Sequence, residues 1–275
     1  MIKDIILNLE RDESQDQVRD YAFSIADRFE AHITGVAFGG LNIPAFAQLE
    51  FPSHITAEMM GKGAATARAA VARFDAAAKR NLLSSDHHLV LDSEGKPGVF
   101  AKLARRCDLS VLMQSDPNGV NNDALIEAAL FDSGRPVVVV PYIQKDVLTL
   151  DRVICCWDGS RAAARAINDA LPLLMKAQDV ELLTVLSEKT RKVRDEMGGV
   201  EMAEHLARHK LKIDVKTTLA VDIDVNSTIL SHATECSASM LVMGGYGHSR
   251  MREFFLGGAT RGILSSTTVP VFMSH

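Results

Sequence analysis

Short apolar runs alternate with longer amphipathic stretches along the whole chain. The apolar runs predict strands near 2–9, 32–38, 86–91, 108–114 and 136–141, and again near 151–157, 180–186, 211–219, 239–244 and 269–273. The stretches between them predict helices near 14–29, 56–81, 97–106, 122–132, 160–176, 193–209, 224–236 and 259–266. Strands that alternate with crossover helices form a parallel sheet covered on both faces. The pattern therefore predicts the α/β fold class.

The same order of elements occurs twice. The run from Lys3 to Leu9 opens the first half, and the run from Asp151 to Trp157 opens the second half in the same way. The run from Cys107 to Met113 recurs as the run from Cys236 to Met243. Matching segments in a shared order, with different lengths of chain between them, are typical of a duplicated domain with loop insertions.

The length of the chain agrees with this duplication. A chain of 275 residues exceeds the common size of one domain and suits two domains of about 140 residues each. We therefore predict one domain over residues 1–145 and a second over 150–275, with five strands in each. The boundary falls between Gln144 and Asp151.

Composition and charge exclude several classes of protein. A net charge of −5 and a pI near 6.0 argue against a nucleic-acid binder. No apolar run reaches the roughly 18 residues of a membrane span, and the first residues lack the features of a signal peptide. The cysteines lie in or beside apolar runs without a C-x-x-C pair, which predicts reduced core residues of a cytoplasmic protein. Vicinal Cys155 and Cys156 are a weaker candidate redox pair, because successive strand side chains face opposite ways.

A glycine series lies between the predicted strand at 239–244 and the predicted helix at 259–266. Gly244, Gly247 and Gly257 are separated by two and nine residues, and Gly258 follows directly. Glycines let backbone N–H groups approach an anion closely, and a helix N-terminus adds unpaired donors and a positive dipole end. The order of strand, glycines and helix predicts a phosphate-binding loop. A loop whose glycines serve only its turns is the competing interpretation.

This spacing resembles the nucleotide motif of the universal stress protein family, in which the third glycine is followed by Ser or Thr. Here Gly258 stands in place of that hydroxyl residue, which removes one side-chain donor and leaves the backbone donors. The resemblance implies two tandem five-stranded parallel-sheet domains of the Rossmann-like, adenine nucleotide alpha hydrolase-like type. It also implies that ATP or AMP is the ligand, with Mg²⁺ as the ion that would accompany ATP.

The resemblance also assigns the site residues of the second half. Asp158 matches the acid that lies against the adenosine, and Val185 matches the position whose backbone reads adenine. The competing role for Asp158 or Ser160 is to cap the following helix. At the phosphate end, backbone and side-chain groups would come from Met243, Gly244, Gly247, His248, Arg250, Gly257, Gly258, Ala259 and Thr260. Arg250 would neutralise phosphate charge, as would Arg252, unless both belong to a solvated loop face.

The first half departs from the motif. Glu10 stands where the second half has Asp158, the glycine series is absent, and Asp116 and Pro117 follow the fourth strand. Asp116 would repel phosphate and Pro117 lacks a donor, so we predict no triphosphate site there. We expect the first half instead to pack against the second as an intramolecular pseudo-dimer, or to bind another ligand. The resemblance implies that the last strands, at 136–140 and 270–273, pair with each other. A further homodimer stays open.

We interpret the chain as a nucleotide-responsive regulatory protein of the stress response, with at most slow ATP hydrolysis and no dedicated enzymatic activity. The alternative is a nucleotide-free, stress-induced interaction module, which Gly258 favours. Adenylating ATP pyrophosphatases are disfavoured, because their Ser-Gly-Gly-x-Asp-Ser loop is missing. No Gly-x-Ser-x-Gly elbow supports nucleophilic hydrolysis. His205, His209 and Glu201 have helical spacing that could hold zinc, but an exposed polar helix face is the commoner explanation.

Overall fold

The computed structural model describes residues 1–40, 53–91, 95–187, 199–220, 224–245 and 258–275. The chain divides into two compact units. Unit 1 comprises Met1–Met113, Asn122–Arg135 and Lys145–Val147. Unit 2 comprises Gln114–Asn121, Pro136–Gln144 and Leu148–His275.

Unit 1 contains four parallel strands in the order β3-β2-β1-β4. The strands are β1 (Asp4–Asn8), β2 (His32–Phe38), β3 (Ser85–Val90) and β4 (Leu109–Met113). The helices are α1 (Gln17–Phe29), α2 (Ser53–Arg80), α3 (Lys96–Ala104) and α4 (Asp123–Asp132), and a short 3₁₀ turn spans Glu13–Gln15. Every residue of β4 is buried, as expected for a strand with both faces covered.

Unit 2 contains six strands in the order β5-β10-β9-β6-β7-β8. The strands are β5 (Val137–Val140), β6 (Arg152–Cys156), β7 (Asp179–Leu186), β8 (Ile213–Leu219), β9 (Met240–Gly244) and β10 (Val271–Ser274). The helices are α5 (Arg161–Asp169), α6 (Leu171–Leu174), α7 (Val200–Arg208), α8 (Val225–Glu235) and α9 (Gly258–Ser266). All pairs are parallel except β5 with β10, which is antiparallel.

The prediction of an α/β fold with parallel sheets is confirmed. The fifth strand of the first half differs from expectation, because β5 is grouped with unit 2 and pairs there with β10. Its four valines are fully buried, so this short apolar strand needs neighbours on every side. The pairing of the two last strands is the one that the sequence led us to expect.

The cysteines are free thiols in the structure. Burial raises the pKa of the Cys107 thiol to about 11 and that of Cys156 to about 12. Thiols with such high pKa values are poor nucleophiles near neutral pH. Among the residues described, no helix is both long enough and apolar enough to cross a bilayer.

Candidate functional site

Strand order reverses at β6 in unit 2. The chain continues from β6 to β7 and β8 on one side, whereas β9 and β10 lie on the other side. In open parallel sheets, ligands bind outside the carboxyl end of the strand where the order reverses. The region beyond Cys156, the last residue of β6, is therefore the expected binding crevice, and we call it the β6 crevice.

A tight turn joins β6 to α5 at the β6 crevice. Gly159 has a positive φ of 75°, a conformation that glycine adopts without strain. The Ser160 backbone N–H donates to Asp158 Oδ1 at 2.9 Å, and the Ser160 hydroxyl accepts from the Ala163 N–H at 3.1 Å. Ser160 is thus the helix cap. Asp158 is exposed, and its second carboxylate oxygen can accept hydrogen bonds from a ligand.

Gly244 ends β9 directly against the first turn of α5. A Cβ at this position would lie 2.5 Å from the Ala163 nitrogen and 2.6 Å from the Ala162 carbonyl carbon. These are backbone atoms that cannot move aside alone, so any side chain would push the helix away from the strand. The glycine lets strand and helix approach closely at the β6 crevice. Packing therefore explains Gly244 independently of any ligand.

Backbone groups from both neighbouring strands face the β6 crevice. Leu183 O accepts from Trp157 N, whereas Leu186 O accepts from Ala220 N on the opposite side of β7. Because successive residues of a strand point their backbone groups to alternate sides, those of Val185 face the side of β6. The last register pair with β6 is Cys156 with Leu183, so Val185 extends beyond it.

The same alternation applies to β9. The N–H groups of Leu241 and Gly245 donate towards β10, to Pro270 O and Ser274 O. Gly244 therefore faces β6, and its position lies beyond Val242, the last residue of β9 that pairs with β6. Met243 lies between Leu241 and Gly245 in this alternation, so its backbone faces β10 and away from the crevice, and its side chain is buried.

The remaining predicted phosphate-binding residues follow β9. Gly247, His248, Arg250 and Gly257 lie outside the described residues, as does Arg252. The backbones of Gly258, Ala259 and Thr260 form the first turn of α9, which agrees with the predicted helix at 259–266. The structure thus brings together Asp158, Val185 and Gly244 around the end of β6, with α9 beginning after the glycine series.

In unit 1, the position that corresponds to Asp158 is buried rather than exposed. Glu10 is only 5% exposed, and its Oε1 accepts from Asn8 Nδ2 at 2.8 Å and from Asn122 Nδ2 at 3.2 Å. Asn122 Nδ2 also approaches Met113 O, at 3.2 Å. Side-chain amides therefore use the carboxylate that a ligand would need. Sequence analysis missed this network, because Asn122 is far from Glu10 along the chain.

The buried Glu10 network also contains a nearby positive charge, that of Lys96. Burial raises the pKa of the Glu10 carboxyl, and the nearby Lys96 and the two amides oppose that rise. Burial likewise lowers the pKa of the Lys96 ammonium, which Glu10 opposes. Lys96 Nζ also lies 5.4 Å from the centre of the Phe38 ring, within range of a cation–π contact. The two opposite charges compensate part of the cost of removing them from water.

The segment after β4 forms a compact turn around Asp116. Asp116 Oδ1 accepts from Asn118 N at 2.9 Å, and Asp116 O accepts from Gly119 N at 3.1 Å. Asp116 N in turn donates to Val120 O at 3.0 Å. The N–H groups of Asn118 and Gly119 could otherwise bind an anion, but they donate to Asp116 within the turn. Asp116 is itself an acid.

The discounted zinc candidates do not converge on one point. The rings of His205 and His209 are 5.0 Å apart between centroids and meet edge to face. His205 Nε2 lies 3.0 Å from Asn168 Oδ1, so this side chain already has a hydrogen-bond partner. Glu201 is exposed at the start of α7. These observations fit a polar helix surface.

Comparison with known proteins relates the second half of the chain to one family. Residues 149–275 match the model of the universal stress protein family. The second half of the chain is thus similar to the universal stress protein family. A universal stress protein of Synechocystis is 27% identical over 138 residues, which cover 50% of this chain and 46% of that relative. The match thus spans less than half the length of the relative.

Solved structures extend the likeness of fold to the whole chain. A universal stress protein from Archaeoglobus fulgidus superposes with a TM-score of 0.72 and 17% identity, over 98% of this chain and 97% of that chain. A putative universal stress protein from Pseudomonas aeruginosa gives a TM-score of 0.65 and 12% identity, over 99% of this chain and 93% of that chain. At these identities the likeness concerns the fold alone.

Proposed function

We propose that this chain is a tandem universal stress protein that binds one adenine nucleotide, ATP or AMP, in the β6 crevice of unit 2. The observation that carries the proposal is the convergence of Asp158, Val185 and Gly244 around the end of β6. The glycine series, which continues from Gly244 towards α9, supports it from the sequence. The two halves of the chain, 1–145 and 150–275, are the two domains of this proposal.

Each group has a role in this proposal. The carboxylate of Asp158 accepts hydrogen bonds from the ribose, and the backbone of Val185 binds the adenine edge. The N–H groups of Gly244, Gly247, Gly257, Gly258 and Ala259 bind the phosphates, with His248, Arg250 and Thr260 beside them. Mg²⁺ would accompany ATP through the phosphate oxygens. The sequence from Gly244 to Thr260 contains a single acid, Glu253, so it offers no carboxylate pair for fast hydrolysis, and we expect binding to regulate the protein instead.

We assign a structural role to the first half of the chain, residues 1–145. Glu10 is buried under two amide hydrogen bonds, and the turn around Asp116 uses its own backbone donors. Neither feature suits a polyphosphate, which needs free donors and positive charge. We propose that the two halves form a pseudo-dimer in which β5 and β10 are the shared strands.

The test is equilibrium dialysis with labelled ATP on the wild type, on Gly247→Val and on Gly61→Ala. Gly61 is the matched control, because a Cβ there would meet no atom within 4 Å. We expect one retained nucleotide per wild-type chain, the same for Gly61→Ala, and a loss of at least about tenfold in affinity for Gly247→Val. Negligible retention by the wild type would refute nucleotide binding.

The second candidate is a nucleotide-free interaction module. It is favoured by Gly258, which replaces the family's hydroxyl residue, and by Ser160, which already uses the Ala163 N–H. A native mass spectrum of gently purified protein separates the two. A mass increment of one adenine nucleotide supports the first candidate, and a ligand-free chain that stays ligand-free with added ATP supports the second.

A further inference from the structure

Three side chains of unit 2 that could bind a metal ion converge far from the β6 crevice. They are Glu181 on β7, His232 on α8, and Cys236 at the end of α8. One potential ligand atom from each lies within 4.8 Å of the other two. Glu181 is the third residue of β7, so the cluster lies near the amino end of this strand, whereas the β6 crevice lies beyond carboxyl ends.

Local structure explains why these side chains meet. His232 and Cys236 are four residues apart, a spacing that places two side chains on the same face of a helix. Helix α8 packs on β7, and this brings that face over Glu181. Glu181 and His232 are 8% and 7% exposed, and Cys236 is partly exposed. The cluster is therefore mostly shielded, with one ligand that solvent can reach.

The distances suit one ion after small side-chain rotations. Glu181 Oε1 and His232 Nε2 are 2.5 Å apart and are joined by a hydrogen bond. Tetrahedral zinc holds oxygen and nitrogen ligands at about 2.0–2.2 Å and sulfur at about 2.3 Å, so its ligand atoms lie about 3.5 Å from one another. Glu181 and His232 would therefore move slightly apart around the ion, within the 4.8 Å that already encloses the cluster. The ion would take the place of the proton between carboxylate and imidazole.

The ligand types select the class of metal. A thiolate and an imidazole favour zinc and similar transition metals, whereas magnesium and calcium prefer oxygen ligands alone. Three protein ligands also leave a fourth position for water, as in open zinc sites. We propose that Glu181, His232 and Cys236 form a binding site for Zn²⁺ that is separate from the nucleotide site.

Two cations border the cluster. Arg152 lies near the sulfur of Cys236, where its positive charge would stabilise a metal-bound thiolate. Lys216 Nζ lies 3.4 Å from His232 Nδ1. When Nε2 binds an ion, Nδ1 carries the ring proton and cannot accept from an ammonium. Lys216 is exposed on β8 and would turn towards solvent. The bound ion would then tie α8 to β7.

The test uses the full chain, untagged, stripped with a chelator and titrated with Co²⁺ as a spectroscopic substitute for Zn²⁺. We expect one Co²⁺ per chain, with visible d–d bands of a tetrahedral ion and a near-ultraviolet thiolate-to-cobalt band. Zn²⁺ should displace the Co²⁺ and raise the Tm, because it binds the folded chain preferentially. Absence of these bands at stoichiometric Co²⁺ would overturn the proposal.

Variants locate the site. Cys236→Ser should remove the thiolate band and weaken binding at least about 10- to 100-fold, the loss seen even for groups that only support ligands. Glu181→Gln should keep the thiolate band and weaken binding. The double variant His205→Ala/His209→Ala, which removes the exposed histidine pair, should behave as the wild type. Circular dichroism checks that each variant is folded. Binding unchanged in folded Cys236→Ser, or lost in the double histidine variant, contradicts the assignment.

Discussion

The carboxyl ends of β1 and β6 carry acids at corresponding positions, but their surroundings differ. Asp158 after β6 is exposed, in a glycine-containing turn next to a capped helix. Glu10 after β1 is buried, and two amides donate to its carboxylate. The comparison teaches that a shared topology does not preserve a binding site. In unit 1 the amides of Asn8 and Asn122 donate to the Glu10 carboxylate. In unit 2, by our proposal, a ligand donates to the Asp158 carboxylate.

The largest expected effect concerns the contact between β9 and α5. Gly244→Ala places a Cβ within 2.6 Å of two backbone atoms, so we expect a loss of about 1–3 kcal/mol in the free energy of unfolding. The control Gly61→Ala, in an open position of α2, should be neutral or stabilise by up to about 1 kcal/mol. Urea denaturation measures both. Equal effects of the two substitutions would show that the close approach is not required.

The next largest effect separates the two acids. Asp158→Ala should weaken ATP binding about tenfold, or about 1.4 kcal/mol, because a ligand hydrogen bond is lost. Asp158→Asn keeps an oxygen for the Ser160 N–H and should lose less. Glu10→Gln, the corresponding change in unit 1, should leave the affinity unchanged. Fluorescence competition with a labelled adenine nucleotide compares the three. A stronger effect from Glu10→Gln than from Asp158→Ala would reverse our assignment.

A smaller effect is expected from the helix cap. Ser160→Ala removes the acceptor for the Ala163 N–H and should cost about 1 kcal/mol in the free energy of unfolding. Ser160→Asp should retain most of the stability, because Asp also caps helices well. If the Ser160→Ala protein is as stable as the wild type in thermal unfolding, the cap hydrogen bond contributes nothing measurable.

The smallest effect depends on pH and concerns Glu10. Because burial raises its pKa in the folded chain, the folded state holds this proton more tightly than the unfolded state. Below the unfolded value near 4.5, both states are protonated and the shift has no effect. As pH rises through the raised folded pKa, the folded state loses stability relative to the unfolded state. The stability of Glu10→Gln minus that of the wild type should therefore grow across this window.

Urea titrations of both proteins at several pH values measure that difference. At each pH, the free energy of unfolding of the wild type is subtracted from that of Glu10→Gln. The contributions of other titrating groups cancel in this difference when the substitution leaves them unperturbed. A difference that stays constant, or that shrinks as pH rises, would mean that the hydrogen bonds from Asn8 and Asn122 outweigh the cost of burial.

Much of the fold could be predicted from periodicity. Buried parallel strands give near-continuous apolar runs, such as Leu109–Met113, and the amphipathic helices between them indicate the α/β class. The grouping of β5 with unit 2 could not be predicted from its own residues, because an apolar run does not reveal its neighbours. The part of the candidate site that depends on neighbouring residues, the turn from Asp158 to the helix cap Ser160, was predictable from the sequence.

The missed features depend on residues that are distant in sequence. Glu10 meets Asn122, and Glu181 meets His232 and Cys236, only through the tertiary fold. Gly244 was interpreted as a phosphate-binding glycine, and the structure adds that the backbone of α5 lies too close for a Cβ. Spacing along the chain carries no information about such contacts.

The central claim is that one unit, and not both, binds nucleotide. Isothermal titration calorimetry of the full chain with ATP tests it most directly, on the wild type and on the double variant Asp158→Ala/Gly247→Val. We predict one site per wild-type chain and strongly reduced heat for the double variant, with Glu10→Gln unchanged. Two sites per chain, no binding at all, or a site that survives in the double variant would contradict the account.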